Sequence, residues 1–238
     1  MAPVDRSTIS GFELFSGFAP EQLDDILRDV RSVRFPKSTN VFEQDSEAHS
    51  FFVLLHGHLR VVKLTPDGHQ IVVRFIVPGE LFGVAAAIGR TSYPATATAV
   101  VDSIARVWPS AAWPRLVGKY PSLAAHALSI VGARLQDAHT RVLEMSTEQV
   151  ERRVAHALLR LAKQAGRKGP SGIEIDFPIS RQDVAEMTGT TLHTVSRILS
   201  AWEQQGLVEG GRQRIVLRAP HKLFEIAEGG GKHHGERR

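Results

Sequence analysis

The chain has 238 residues, of which 42% are hydrophobic, and it carries 29 Lys and Arg against 25 Asp and Glu. This composition excludes disordered and fibrous classes, and the length allows one large domain or two smaller ones. No apolar run approaches the roughly 20 residues that cross a bilayer, and the N-terminus lacks the basic-then-apolar pattern of a secretory signal. The sequence therefore predicts a cytoplasmic protein without a membrane partner.

The chain contains no cysteine. Disulfides, thiolate metal sites, cysteine nucleophiles and a cysteine-held iron–sulfur cluster are therefore excluded. The G-x-S-x-G, H-E-x-x-H and P-loop patterns are also absent, so a hydrolase rests only on scattered Ser, His and Asp. The sequence predicts that the protein is not an enzyme.

Residues 33–108 are typical of short strands, rich in β-branched and aromatic side chains and separated by Gly and Pro turns. The turn Pro66–Gly68 joins two of them into a hairpin, and the Ala-rich stretch Leu81–Ile88 predicts one helical turn. The predicted strands are Phe51–Leu55, Leu59–Leu64, Gln70–Val77, Ala95–Val101 and Ile104–Trp108. They favour a compact β-barrel.

Beyond Pro114 the period of the apolar residues changes from two to about three and a half, which predicts a long helix with Pro121 in its first turn. Apolar residues alternate at spacings of four and three. They are Ala124, Leu128, Val131, Leu135, Ala138, Val142 and Met145. This spacing is typical of a two-stranded coiled coil and predicts a homodimer, although a single buried amphipathic helix is the alternative.

Ser146 and Gln149 have the form of a capping box, which predicts that a new helix and a new domain begin there. Gly166 is predicted to end that helix, and the polar stretch from Gly166 to Gly172 is predicted to be a loop. Residues 146–227 carry 12 basic against 9 acidic side chains, a weak indication of nucleic acid.

The C-terminal segment, residues 228–238, is rich in glycine and charge. It is predicted to be a disordered tail. Its adjacent histidines, His233 and His234, could bind metal, but solvated tail side chains are the preferred interpretation.

The segment Ile179–Gln205 predicts two helices joined by a tight turn. Ser180 suits the cap of the first helix, and Gly189 lies in the turn, where a positive φ carries no steric penalty. Thr190 or Thr191 caps the second helix and can hold phosphate. The apolar face of the second helix is Val195, Ile198, Leu199 and Trp202.

Three polar residues are left pointing outward on the N-terminal half of the second helix: His193, Ser196 and Arg197. This half is what a recognition helix inserts into the major groove of double-stranded DNA. A helical hairpin used only for packing is the alternative. After it, Leu207–Val208, a turn at Gly210–Gly211 and Arg214–Leu217 predict a β-hairpin wing. Arg212 and Arg214 near its tip would contact the DNA backbone or remain solvated.

The segments ISRQDVA and TVSRIL, separated by a turn at Gly189, resemble the CRP/FNR superfamily of cyclic-AMP receptor and fumarate–nitrate reductase regulators. The resemblance covers nearly the whole chain. It implies a transcription regulator that binds a palindromic operator as a homodimer, and RNA polymerase as a further partner, as for an activator. It also implies that Ser196 and Arg197 read base edges, since arginine suits O6 and N7 of guanine. His193 stands where many members carry glutamate.

The resulting fold class is α+β. Residues 1–118 are predicted to form a cyclic-nucleotide-binding-like β-barrel sensor and residues 119–145 a dimerisation helix. Residues 146–227 are predicted to form a winged helix-turn-helix domain.

The alternative function is an effector-binding regulatory module without a DNA role. Such a module would keep the phosphate-binding residues and would need no recognition helix. This sequence has the opposite features.

The resemblance also bears on the effector. In nucleotide-binding members a Gly-Glu pair and a later Arg-Ser pair hold the ribose and the cyclic phosphate, whereas this sequence has Gly83-Val84 and Pro94-Ala95 there. A buried phosphate without an arginine loses its charge pairing, so cyclic AMP is not expected to bind in the usual way.

The Tyr93–Ala97 stretch resembles branches that respond to nitrogen oxides, some of which use haem. An axial haem ligand would have to be a histidine of the sensor or the long helix. The candidates are His49, His56, His58, His69, His126 and His139. For His56 and His58, which lie on either side of Gly57, exposed histidine is the alternative. The sequence leaves open the effector, the target genes and whether transcription rises or falls.

Overall fold

A computed structural model describes residues 9–28 and 30–230. It divides into two compact units, residues 1–137 and residues 138–238. This division lies within the long helix and eight residues before the domain start predicted at residue 146. Of the predicted tail, residues 231–238 and both of their histidines lie outside the described residues.

The first unit is built on two four-stranded antiparallel sheets, ordered β1-β8-β3-β6 and β2-β7-β4-β5. The strands are β1 Arg31–Phe35, β2 Asn40–Phe42, β3 Ser50–His56, β4 Leu59–Leu64, β5 Gln70–Ile76, β6 Leu81–Phe82, β7 Thr96–Ala99 and β8 Ser103–Pro109. All five predicted strands are present. The predicted helical turn at residues 81–88 is wrong in its first half, because β6 pairs with β3 there and only Ala86–Ile88 forms a 3-10 turn.

The sheet that contains β3 is buried on both faces. Phe52 and Leu54 point into the core enclosed by the two sheets. Phe51 and Val53 point the other way, into a second core covered by helical segments. Because alternate side chains of a strand face opposite sides, burial on both sides explains why this strand is a continuous apolar run.

The helices of the first unit complete the second core. Among the described residues these include α1 (Pro20–Ile26), α2 (Ala112–Lys119) and the start of α3 (Pro121–Thr147). Leu123 and Ala127 of α3 are buried there, which leaves the rest of that helix free to present another face. Further along, the Arg134 guanidinium donates to the Leu81 carbonyl and pairs with Glu80, and burial lowers its pKa to about 10. These contacts attach the helix to β6 and the residue that precedes it.

Asp25 of α1 is buried against α2. Its carboxylate accepts hydrogen bonds from Lys119 Nζ at 2.8 Å and from Tyr120 Oη at 2.7 Å. These bonds, with the charge of Lys119, hold the pKa of Asp25 at about 2, below its ordinary value of 3.8. The carboxylate therefore joins the first helix to the segment between α2 and α3.

The lowered pKa of Asp25 predicts a loss of stability in acid. The unfolded chain takes up a proton near pH 3.8 and the folded chain only near pH 2. The contribution of Asp25 is thus fully present above pH 4 and is lost as the pH falls toward 2. Urea unfolding at pH 7 and pH 3 should show a smaller difference in midpoint for Asp25→Asn than for the wild type. The exposed control Glu21→Gln should keep the wild-type difference; equal differences in all three proteins would contradict this role.

The second unit contains the end of α3 followed by α4 (Val150–Ala165), α5 (Arg181–Thr188), α6 (Leu192–Gln204) and α7 (Pro220–Ala227). Its sheet has the order β11-β12-β10-β9, from β9 (Gly166–Gly169), β10 (Gly172–Ile175), β11 (Val208–Gly211) and β12 (Arg214–Leu217). The predicted loop at residues 166–172 is therefore wrong: β9 and β10 form a hairpin whose second strand pairs with β12.

The capping box predicted at residue 146 is also absent. The helix α3 continues to Thr147, and the Ser146 hydroxyl donates to the Val142 carbonyl four residues before it. Gln149 is itself the N-cap of α4 and makes no side-chain cap bond. Serine inside a helix can satisfy its hydroxyl in this way, so its presence does not require a helix start.

Candidate nucleic-acid interface

The helix α5 begins and ends as the sequence predicts. The Asp183 amide donates to Ser180 Oγ at 3.0 Å, and the Ser180 amide donates to the Asp183 carboxylate at 2.8 Å. At the other end Gly189 has φ 60°. The Met145 sulfur lies 3.1 Å from where a Cβ on Gly189 would stand, so both the conformation and the space favour glycine.

The helix α6 begins at a threonine cap. Thr191 Oγ1 accepts from the Thr194 amide at 3.1 Å, which confirms one of the two predicted caps. All four residues of the predicted apolar face are buried. The indole of Trp202 donates to Glu151 of α4 at 3.1 Å, so the inner face of α6 is fixed to the rest of the unit.

The outer face of α6 presents the predicted recognition residues. His193 and Arg197 are exposed, and Ser196 is half-buried. The described residues provide no acidic partner for Arg197. Leu192, at the first position of the helix, is 47% exposed and was not predicted as a site residue. Its spacing of three from Val195 suggests an inward position, and only the structure shows that it protrudes at the helix end.

The wing consists of β11 and β12, and its turn is not where the sequence predicts it. Gly210 and Gly211 belong to β11, and Gly211 pairs with Arg214, so the turn is formed by Arg212 and Gln213. Arg212 is exposed at this tip, with no acidic partner in the part of the chain described. The prediction of the wing is confirmed, but the prediction of its turn is wrong.

Arg214 is engaged within the protein. Its guanidinium contacts Glu174 of β10 at 2.9 Å and Glu209 of β11 at 2.8 Å. The hydrogen bond from Arg214 lowers the pKa of Glu174, and the two carboxylates raise the pKa of Arg214. This side chain joins three strands of the sheet, whereas Arg212 at the tip has no such carboxylate partner among the described residues.

The four residues predicted to line an effector pocket lie in the first unit. Gly83 lies over the Phe52 ring, and a Cβ built on Gly83 would be 2.7 Å from Cδ2 of that ring. Val84 packs against the apolar core on the other side of the sheet. Pro94 is exposed and Ala95 is buried. The adjacent Tyr93 ring stacks on Phe42, with ring centroids 3.9 Å apart. None of the four predicted residues, Gly83, Val84, Pro94 and Ala95, has a charged side chain.

The six candidate histidines are dispersed. Nδ1 of His126 lies 3.0 Å from the Leu14 carbonyl, and its ring packs edge-on to Phe18. His49 and His69 are exposed beside Glu47 and Asp67. His56 and His139 are exposed and His58 is half-buried. The described residues contain no group of three or more His, Asp or Glu that could hold a metal ion.

These elements define a class of protein: a β-sheet sensor domain, a long helix and a winged helix-turn-helix domain. No helix among the described residues is long and apolar enough to span a membrane. Two family models match the chain. The cyclic nucleotide-binding domain matches residues 32–120, and the Crp-like helix-turn-helix domain matches residues 152–226.

Individual relatives agree with both models. The nitrogen fixation regulation protein FixK of Azorhizobium caulinodans is 32% identical over 77% of this chain and 73% of its own length. The cyclic AMP receptor protein of Thermus thermophilus is 28% identical over 93% of this chain and 99% of its own. The solved structure of FixK2 from Bradyrhizobium japonicum has a TM-score of 0.73 at 26% identity, covering 83% of this chain and 96% of that one.

The chain therefore belongs to the CRP/FNR family of transcription regulators. The family resemblance, the α+β fold with its three parts and the helix-turn-helix regulator class predicted from the sequence are confirmed. The relatives are transcription regulators rather than enzymes. Regulators of this family bind DNA and dimerise.

Proposed function

We propose that this protein binds an inverted repeat in double-stranded DNA as a homodimer, using the exposed N-terminal half of α6 and the tip of the wing. The observation that supports this most directly is the outer face of α6, where Arg197 is exposed and has no acidic partner among the described residues. A guanidinium available on a helix of this kind is suited to the edge of a guanine in the major groove.

The other residues of this surface would make two kinds of contact with DNA. His193, Ser196 and Leu192 stand beside Arg197 on the side that would face base edges, and an apolar side chain such as Leu192 suits the methyl group of thymine. Thr190, Thr191 and the amides at the start of α6 suit phosphate oxygens. Arg212 at the wing tip supplies a further phosphate contact, which positions the domain without reading sequence.

Dimerisation would use α3. Leu128, Leu135 and Val142 recur at intervals of seven and are 72%, 57% and 62% exposed in the single chain. The smaller members of the predicted seam, Ala124, Val131 and Ala138, are half-buried. Met145 is 41% exposed and packs on Gly189. An exposed leucine stripe at heptad spacing is unfavourable in water, and a second copy of the helix would cover it.

A selection from random DNA duplexes tests the proposal. The wild-type protein should enrich an inverted repeat whose half-sites are centred roughly 34 Å apart, because two symmetry-related recognition helices reach successive turns of one groove. Enrichment of a single half-site, or of no motif, would contradict binding as a symmetric dimer. Action on DNA and on RNA polymerase would take place in the cytoplasm.

The sensor is not expected to bind cyclic AMP through the contacts used by nucleotide-binding members. By resemblance to those members, Val84 and Pro94 stand at the sequence positions of the required carboxylate and guanidinium, and a charge-assisted hydrogen bond to phosphate contributes about 1.5–3 kcal/mol. Titration calorimetry should therefore show no binding in the micromolar range. If the wild type binds cyclic AMP in the micromolar range, and a Val84→Glu, Pro94→Arg double variant binds it equally well, the ligand uses other residues.

A further inference from the structure

A cavity of about 170 Å³ lies inside the DNA-binding unit, where α5, α6 and the wing meet. Its lining includes Arg181 from the start of α5, Glu203 from the end of α6 and Gly210 from β11. These three residues come from the three elements that would face DNA. Their contacts therefore determine how the elements are held relative to one another.

Arg181 is the centre of this arrangement. Its guanidinium contacts the Glu203 carboxylate at 2.8 Å, Ser200 Oγ at 3.3 Å and the Ser196 carbonyl at 3.4 Å. One side chain of α5 thus contacts α6 at three successive turns. The last of these contacts is with the backbone of Ser196, next to Arg197. Both charged partners are about one-third exposed, so the pair is only partly screened by water.

Gly210 gives the wing its place in the same arrangement. A Cβ built on Gly210 would stand 2.1 Å from Oε1 of Glu203 and 3.6 Å from the Arg181 guanidinium. A residue with a side chain at position 210 would therefore have to displace the Glu203 carboxylate. Such a displacement would lengthen or break the contact of the carboxylate with Arg181.

We propose that the Arg181–Glu203 pair, with Gly210 packed against it, positions the recognition helix and the wing as one DNA-reading surface. Arg181 and Glu203 are then positioning residues, and Arg181 acts through α6 rather than as a phosphate contact. This inference rests on the proposed DNA-binding function. It assigns to Glu203 a role in specific binding that its negative charge alone would oppose, since an acidic group near DNA weakens attraction to phosphate.

The charge of Glu203 and its positioning role predict opposite effects on DNA affinity, and this difference gives the test. Glu203→Gln removes one negative charge and, on charge alone, should strengthen binding to every duplex. If the pair positions α6, the variant should bind the inverted repeat enriched by the wild type about tenfold more weakly. Its binding to an unrelated duplex of equal length should be unchanged or tighter. Glu225→Gln, the same change at an exposed site on α7, should alter neither affinity by more than about twofold.

A second variant breaks the pair without removing a charge. Gly210→Ala should displace the Glu203 carboxylate and reduce affinity for the repeat to a similar extent, whereas in a Glu203→Ala background it should have little further effect. Thermal unfolding of each variant separates this result from loss of the fold. Equal effects of Gly210→Ala in both backgrounds, or unchanged or tighter binding of Glu203→Gln to the repeat, would overturn the inference. If the wild type shows no preference for any repeat, the proposed function fails instead.

Discussion

Arg197→Ala is expected to weaken the binding free energy for the operator by about 1–3 kcal/mol. The variant should also lose the preference for guanine at one position in each half-site. The reason is geometric: the guanidinium is exposed on α6 and can donate two hydrogen bonds to O6 and N7 of one base. Because the dimer is symmetric, the same position should relax in both half-sites. Selection from random duplexes, repeated with the variant, measures both the affinity and the position.

Arg212→Ala is the matched control for this experiment. It removes the same charge from the wing tip, where a phosphate contact carries no sequence information. We expect it to weaken all duplexes alike and to reduce the salt dependence of binding by about one unit of slope, with the enriched motif unchanged. If Arg197→Ala leaves the motif and the affinity as they are in the wild type, the assignment of the recognition face to α6 is wrong.

Leu135→Glu is expected to convert the dimer to a monomer and to abolish high-affinity binding to the inverted repeat. In a symmetric pair of α3 helices, two glutamates would replace two leucines at the centre of the seam, and each buried unpaired carboxylate would cost several kcal/mol. Light scattering gives the mass, and titration of the repeat gives the affinity. The affinity of the monomeric variant for a single half-site should equal the affinity of one wild-type protomer for that half-site.

Ala133→Glu is the control for the seam. It adds the same charge to the same helix at an exposed position that does not belong to the four-and-three pattern. It should remain a dimer and keep its operator affinity within about threefold, as expected for a surface substitution. A Leu135→Glu protein that remains fully dimeric would place the dimer interface on another surface.

The helix-turn-helix segment could be predicted from sequence because its determinants are local. The Ser180 cap, the positive φ of Gly189 and the Thr191 cap each depend on residues within four positions along the chain. The inward face of α6 follows from helical spacing alone. The same holds for the leucine stripe of α3, because its heptad spacing is a property of the residue order.

Other local signals were ambiguous. The Ser146–Gln149 pair matches a capping box, yet α3 passes through Ser146, and the buried Glu144 in that last stretch pairs with Arg160 of α4 at 2.5 Å. The polar, glycine-rich segment 166–172 resembles a loop, but β9 forms a hairpin with β10, and β10 in turn pairs with Val216 and Leu217 of β12, more than forty residues away. A sequence window of ten residues around this segment does not include the β12 residues that pair with β10.

The sequence by itself determined the order of the three parts and the caps of the two helices of the helix-turn-helix segment. Only the tertiary structure decided which arginines of the wing are held by carboxylates of the protein and which are not. Arg212 and Arg214 are two residues apart and equivalent in sequence, but Arg214 is held by Glu174, forty residues earlier in the chain, whereas Arg212 lies at the turn and meets no carboxylate of the described residues. The role of a charged side chain depends on which opposite charges the fold brings within about 4 Å, and that distance is set by long-range strand pairing rather than by neighbouring residues.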